Sequence, residues 1–170
     1  MIYDRQIVAR LEDCSSQVWE GAAFRHMFGT FSPERQNSRG ARWNPPETPA
    51  IYTSLTRETV LAEADYYIDL QPFRPKVVRK IYRVDIALHS VIDLSSWDSL
   101  AALGIDKSAF SAPNYAGTQM IGGAAEWLKH DGMLVPSARG PGINLVIFPN
   151  QQSQDYRFEV LDVEEMPDTE

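Results

Sequence analysis

The strongest constraint on the fold is a strand-then-helix pattern in residues 50–70. The run Ala-Ile-Tyr-Thr-Ser at 50–54 is β-branched and aromatic, which is typical of a short strand. Thr56 follows as a helix N-cap, Glu58 lies where the helix dipole favours an anion, and Pro72 ends the segment. The pattern predicts a strand followed by a helix that runs to about Leu70.

One carboxylate lies on the apolar side of this predicted helix. The apolar positions repeat at i, i+3 and i+4, and they are Val60, Leu61, Ala64, Tyr67 and Ile68. Glu63 follows Val60 by three positions and precedes Tyr67 by four, so it falls on the same stripe. Burying an unpaired carboxylate is costly unless its pKa rises until it neutralises. Two interpretations stay open: an edge position that reaches solvent or an arginine, or a carboxylate that lines a cleft.

Composition indicates one folded domain. The chain has 170 residues, of which 44% are hydrophobic and 11% aromatic, enough to form a substantial core. Cys14 is the only cysteine, which excludes an internal disulfide and a cysteine-based metal site. Together with the lack of an N-terminal apolar run, this favours the cytoplasm. No window is apolar for long enough to span a bilayer, so we expect no membrane association.

Charge argues for a small anionic ligand. The net charge is −7, from 16 Lys+Arg and 23 Asp+Glu, so direct binding to nucleic acid is not expected. Four arginines nevertheless fall within eighteen residues: Arg25, Arg35, Arg39 and Arg42. Arg35 and Arg39 are interpreted as loop residues, and the other two as a cationic pocket.

The rest of the chain predicts mixed strands and helices without regular βαβ alternation, which defines an α+β fold. The predicted elements are a short helix within 1–20, strands at 24–28, 76–88, 133–136, 143–148 and 156–163, and helices at 96–103 and 117–130. Gly117, Gly122 and Gly123 in the last helix match no phosphate-binding fingerprint, and close packing of residues 122–125 (GGAA) against the sheet explains this segment better.

Several kinds of chemistry are absent from the sequence pattern. His26, His89 and His130 show no metal-ligand spacing, so no metal site is assigned. No G-x-S-x-G elbow marks a serine nucleophile. Glu58 and Asp65 lie off the apolar face of the Glu63 helix, so no second carboxylate accompanies it. A single glutamate with arginines and aromatic residues remains.

Six short segments follow one another along the chain: 24–26 (FRH), 40–46 (GARWNPP), 51–54 (IYTS), 62–63 (AE), 134–139 (LVPSAR) and 144–148 (NLVIF). In this order they resemble the motifs of a known family, the RES-domain toxins of bacterial toxin-antitoxin systems. That family shows an early arginine, a G-G-R-W-N-P segment, a Y-x-S strand, a helix with a glutamate, and later a V-P-S segment and an N-L-V-like strand. Two departures concern glycines: Ala41 replaces one, and another is replaced near Glu47 and Thr48.

The resemblance implies a single RES-like domain over residues 1–170. Its α+β fold would have a mixed, mainly antiparallel split sheet resembling the ADP-ribosyltransferase toxin fold. It also implies NAD as the substrate. The nicotinamide of NAD is cationic, so cleavage of its glycosidic bond needs no general acid, unlike ordinary glycoside hydrolysis. A carboxylate that accepts a hydrogen bond from the ribose 2′-hydroxyl stabilises the oxocarbenium-like transition state.

On this resemblance, Glu63, Arg42 and Tyr52 form the catalytic set. Arg25 and Arg42 would clamp the pyrophosphate, and Tyr52 would stack on nicotinamide. Ser137 and Asn144 would line the cleft from the other side and contact NAD. Trp43 is interpreted as a packing residue, Ser54 is either a turn former or part of the site, and Arg139 has no assigned role.

Three functions follow from these residues. The first is an NAD-degrading toxin that transfers ADP-ribose to water or to phosphate, as an NAD glycohydrolase or phosphorylase. The second is a protein ADP-ribosyltransferase that uses NAD. The third is a non-catalytic nucleotide-binding interaction module. The resemblance also implies a cognate antitoxin with a helix-turn-helix as partner.

Overall fold

A computed structural model of the chain describes residues 3–151 and 155–166. The helices are α1 (Arg5–Glu12), α2 (Arg57–Asp69), α3 (Trp97–Ala102) and α4 (Ala116–Trp127). The strands are β1 (Ser16–Phe28), β2 (Ile51–Ser54), β3 (Arg79–Asp93), β4 (Gly132–Pro136), β5 (Ile143–Ile147) and β6 (Arg157–Met166). Each predicted element has a counterpart, and the α+β prediction is confirmed. The first strand is longer than predicted, since it begins at Ser16 instead of residue 24.

The six strands form one mixed, mainly antiparallel sheet that closes on itself. Their order is β1-β2-β5-β4-β3-β6, and a further pairing joins β1 to β3. Only the β3–β4 pair is parallel among the described strands. The prediction of a split sheet is therefore wrong. Closure is possible because β3 has 15 residues, so β1 pairs along one edge while β6 and then β4 share the other.

The sheet separates two cores. Alternate residues of a strand point to opposite faces, so Leu145 and Ile147 pack with Val84 and Ile86 inside the ring of strands. Val146, between them in sequence, instead faces a second core that α1, α3 and α4 cover. Strand β5 is therefore buried on both faces, and the residues that follow the strand ends have fixed positions.

Helix α2 begins and ends as predicted. The Thr56 side chain accepts a hydrogen bond from the Thr59 amide, and Leu70 is the C-cap. The buried positions of α2 are Thr59, Val60, Ala64 and Ile68. Tyr67, which the pattern placed on the buried face, is 45% exposed. That prediction is wrong because Tyr67 borders a cavity at this point and not the core.

The loop before β2 passes directly over α4. Gly122 of α4 faces the backbone of Trp43: a Cβ atom at this glycine would lie 1.5 Å from the Trp43 carbonyl oxygen. The predicted close packing of the helix glycines is therefore confirmed for Gly122, although its partner is a loop and not the sheet. Glu47 has a positive φ of 72°, at a position where a glycine would be free of strain.

The described residues were also compared with the requirements of a membrane-spanning helix and of a metal site. No helix in residues 3–151 and 155–166 has the length and apolar character needed to cross a membrane. Across the same residues, no group of three or more His, Cys, Asp or Glu side chains lies close enough together to hold a metal ion.

Candidate active site

A cavity of about 450 Å³ lies beside the sheet, a volume within the usual range for sites of small ligands. Its walls come from β1, the loop before β2, β2 itself, α2, and the ends of β4 and β5. Five of the six residues predicted for the site line it: Arg25, Arg42, Tyr52, Glu63 and Asn144. Residues that are distant in sequence thus meet because the sheet closes.

The Glu63 carboxylate is held in one orientation. Its Oε1 accepts hydrogen bonds from the Ser137 hydroxyl at 2.6 Å and from the Asn144 side-chain amide at 2.9 Å. Asn144 is itself fixed, because its Oδ1 accepts a hydrogen bond from the Ser54 hydroxyl at 2.7 Å. Both bonds from the described residues fall on Oε1, so the second oxygen of the half-buried carboxylate is left for a ligand in the cavity.

Ser137 differs from the expectation that it lines the cleft. It is 4% exposed and lies behind the carboxylate, where its oxygen also accepts a hydrogen bond from the Arg139 amide. Ser54, which the sequence left ambiguous, belongs to the same network. The signal for Ser54 is its place opposite Asn144 in the β2–β5 pair, which no single-strand pattern contains.

The Arg42 guanidinium is buried with one nitrogen free. Arg42 is 7% exposed, and its Cζ lies 4.9 Å from the ring centroid of Phe110 and 4.7 Å from that of Tyr115. One terminal nitrogen donates to the Phe110 carbonyl, whereas the other is buried and has no partner among the described residues. A buried charged donor without a partner is costly, so the site favours an anionic ligand there.

Arg25 repeats this arrangement on β1. Its Nε contacts the Met27 sulfur at 3.1 Å and one terminal nitrogen donates to the Arg35 carbonyl at 2.6 Å. The other terminal nitrogen is buried and lacks a partner in the described part of the chain. Burial, and then the charge of Arg35, lowers the pKa of Arg25 to about 10. The cavity thus presents two incompletely bonded guanidinium groups, as an anion-binding site would.

Tyr52 fixes the loop above the cavity. Its hydroxyl accepts a hydrogen bond from the Trp43 amide at 3.0 Å and donates one to the Asn44 side chain at 2.6 Å. Burial raises the pKa of this phenol, so it stays a neutral donor. Asn44 is fully buried and donates to the Asn37 and Thr48 carbonyls. Trp43 is 2% exposed in the core, which confirms its predicted packing role.

A histidine that sequence reasoning did not assign also lines the cavity. Arg79 is 6% exposed and donates from Nε to His26 Nε2 at 2.9 Å, and it pairs with Asp65 at 2.9 Å. Because arginine only donates, Nε2 of His26 accepts and the proton of the neutral ring lies on Nδ1. Burial, and then the charge of Arg79, lowers the pKa of His26 to about 4. His26 is therefore neutral near pH 7.

The fold and the site together define a class: an α+β domain whose closed sheet carries a cavity with one fixed carboxylate and two arginines, each with a buried nitrogen that has no partner among the described residues. A family model described as the RES domain matches residues 12–167. The chain belongs to the RES domain family.

Known proteins extend the likeness over most of the chain. It is 27% identical over 148 residues to the NAD(+) phosphorylase MbcT of Mycobacterium tuberculosis, and the same figures hold for MbcT of Mycobacterium bovis. Each alignment covers 82% of this chain and 80% of the relative. Among solved structures, the crystal structure of the M. tuberculosis MbcT-MbcA toxin-antitoxin complex matches with a TM-score of 0.84 and 22% identity, over 96% of this chain and 93% of that one. At this identity, the structural match shows the fold alone.

Proposed function

We propose that the protein is an NAD-degrading toxin that cleaves the bond between nicotinamide and ribose and transfers ADP-ribose to phosphate or water. One observation carries the proposal: Glu63, fixed by Ser137 and Asn144, lies in the same cavity as two arginines, each with a buried nitrogen that no described residue pairs. Cleavage of NAD requires both features: the guanidinium groups bind the pyrophosphate, and the carboxylate stabilises the positive charge that develops on the ribose. The name of the relative MbcT, an NAD(+) phosphorylase, supports the same reaction.

The bond breaks with its electron pair moving to the nicotinamide nitrogen, which becomes neutral as the ribose becomes oxocarbenium-like. An oxygen of phosphate or water then forms the new bond to the ribose carbon, and an attacking water loses a proton to solvent. The free oxygen of Glu63 accepts the hydrogen bond of the 2′-hydroxyl. This interaction strengthens as positive charge develops, so it lowers the barrier more than it stabilises bound NAD.

The other residues of the site bind NAD or hold the residues that contact it. Arg25 and Arg42 donate to the pyrophosphate through their unpaired nitrogens, and the planar guanidinium suits phosphate oxygens. Asn144 and Ser137 hold the carboxylate, so Ser137 acts through Glu63 and not by touching NAD. Tyr52 holds the loop that carries Arg42 through its bonds to Trp43 and Asn44.

Purified protein incubated with NAD, with and without phosphate, tests the proposal. We expect release of nicotinamide, with an ADP-ribose phosphate ester as second product when phosphate is present. Glu63→Gln keeps the shape of the side chain but removes its charge, and it should lower the rate by roughly a hundredfold to a thousandfold. Glu58→Gln is the matched control, since Glu58 lies on the same helix and is exposed.

Two results would contradict the proposal. One is full activity of Glu63→Gln, and the other is no release of nicotinamide by the wild type in either buffer. Label from radiolabelled NAD on a discrete protein band would instead support a protein ADP-ribosyltransferase.

The partner, the compartment and the wider fold relationship belong to the same proposal. A cognate antitoxin is expected, supported by the solved toxin-antitoxin complex of the same fold; a helix-turn-helix in it is implied by the family resemblance alone. We place the reaction in the cytoplasm, because NAD is an intracellular metabolite and the chain has one cysteine. A relationship to the ADP-ribosyltransferase toxins is supported by the mainly antiparallel sheet around an arginine, tyrosine and glutamate site.

A further inference from the structure

The nicotinamide ring needs an aromatic surface, and Tyr52 is poorly suited to provide it. The Tyr52 hydroxyl is bonded to Trp43 and to Asn44, and the ring is packed against the helix-covered core. Its position is therefore set by the loop it holds. Trp43 is 2% exposed and equally committed to packing.

Tyr67 lies beside Glu63, where the nicotinamide ring of bound NAD is expected. The carbon that carries nicotinamide is bonded to the carbon that carries the 2′-hydroxyl, so a ribose bound to Glu63 places nicotinamide within a few ångströms of that carboxylate. Tyr67 follows Glu63 by four residues on α2, and residues at this spacing lie side by side on one helix face. Its ring lines the cavity and is 45% exposed, so it has a surface to offer.

Neighbouring side chains hold the Tyr67 ring. Tyr66 contacts it edge-on, with ring centroids 5.5 Å apart and an interplanar angle of 80°. Tyr115, in the loop before α4, also lines the cavity, with its ring beside Arg42. Burial, and then the charges of Tyr115 and Glu63, raise the pKa of Tyr67 to about 12.

We propose that Tyr67 is the aromatic platform for the nicotinamide ring, next to Glu63. This inference rests on the proposed function and assigns the ring to a residue other than the Tyr52 of the sequence-based prediction. The electron-rich face of tyrosine attracts a cation, and nicotinamide in NAD is cationic.

The charge of the ring decides which kinetic constant responds. Nicotinamide is cationic in bound NAD and becomes neutral as its bond to ribose breaks. The attraction to Tyr67 is therefore stronger in the ground state than in the transition state, and its loss should raise KM without lowering kcat. A residue that only supported the fold around Glu63 would lower kcat.

Binding of two small probes tests the platform without any turnover. Nicotinamide is neutral and 1-methylnicotinamide is a cation of nearly the same shape, so their affinities for the full chain are compared by calorimetry. Tyr67→Leu should weaken the cation by roughly 2- to 30-fold more than it weakens the neutral ring. Tyr67→Phe keeps the aromatic face and should keep most of the difference. Equal weakening of both probes in Tyr67→Leu would overturn the proposal.

Steady-state kinetics with NAD provide the second measurement. Tyr67→Leu should raise KM by a similar factor and should not lower kcat, which rises to the extent that the attraction is confined to bound NAD, while Tyr67→Phe stays close to wild type. Tyr156→Leu is the matched control, because Tyr156 is half-buried and lies outside the cavity. A fall in kcat with unchanged KM in Tyr67→Leu would contradict the proposal. If wild type does not cleave NAD, the proposed function fails, whereas the probe comparison still decides about Tyr67.

Discussion

The contact between Gly122 and Trp43 predicts a severe effect from one added methyl group. In Gly122→Ala the new Cβ would lie 1.5 Å from the Trp43 carbonyl oxygen and 2.7 Å from its carbon. Ordinary contacts of this kind begin near 3.4 Å, so α4 or the loop must move by roughly 2 Å. Both obstructing atoms belong to the backbone, which cannot rotate away as a side chain would.

The expected loss of stability can be worked out from these distances. Overpacking in a close-packed interior costs about 1–3 kcal/mol, and contact with backbone places this variant at the upper end. Alanine regains about 0.5–1 kcal/mol through its better helix propensity. The net loss is about 2 kcal/mol, which corresponds to a fall in Tm of roughly 4–8 °C for a chain of this length.

Activity should fall further than stability. The loop that must move contains Arg42, whose carbonyl accepts a hydrogen bond from Thr118 of α4, and the Trp43 amide that Tyr52 binds. A displacement of about 1 Å in a catalytic arrangement can cost on the order of a hundredfold in rate. Nicotinamide release is therefore measured at a temperature where the variant is fully folded.

Gly117→Ala is the control on the same helix. Its Cβ would meet only the end of the Ile105 side chain, at 3.3 Å, which can shift by a few tenths of an ångström. We expect its Tm to be equal to wild type or slightly higher. If thermal unfolding gave the same Tm for Gly122→Ala as for Gly117→Ala, the proposed contact between helix and loop would be wrong.

Two further predictions concern charge in the cavity. Asn144→Asp removes a hydrogen-bond donor to Glu63 and places a second carboxylate 2.9 Å from it. We expect nicotinamide release to fall roughly 10- to 100-fold at pH 7. An unchanged rate would contradict the proposed hydrogen-bond network around Glu63. His26 has a pKa of about 4 in the fold, below its usual 6.5, so the unfolded chain binds the proton first and stability falls as pH decreases from about 6.5 to 4. Chemical unfolding across this pH range should show a smaller decrease in stability for His26→Gln, whose side chain can still accept the hydrogen bond from Arg79. An identical decrease in the variant and the wild type would show that protonation of His26 does not cause the loss of stability.

Local signals in the sequence predicted much of the fold and part of the site. The Thr56 cap and the buried positions of Val60, Ala64 and Ile68 in α2 depend on neighbours within a few residues, and these predictions are confirmed. Ring closure depends on the β1–β3 pairing between distant segments, which a strand pattern does not specify. The sequence pattern predicted that Tyr67 is buried, and this prediction failed for a related reason. An apolar stripe shows which residues share a face, but not whether a core or a cavity lies opposite.

The hydrogen bond between Ser137 and Glu63 also sets when the site can form during synthesis. The two residues are 74 positions apart, so at about 5–20 residues per second the ribosome needs roughly 4 to 15 s to reach the serine after the glutamate. Asn144 follows later still. Until then the carboxylate has neither of its donors, and the sheet lacks β5. A nascent chain therefore passes through a period in which its arginines and glutamate exist but the site does not, and any partner that recognises the finished cavity can act only after that period.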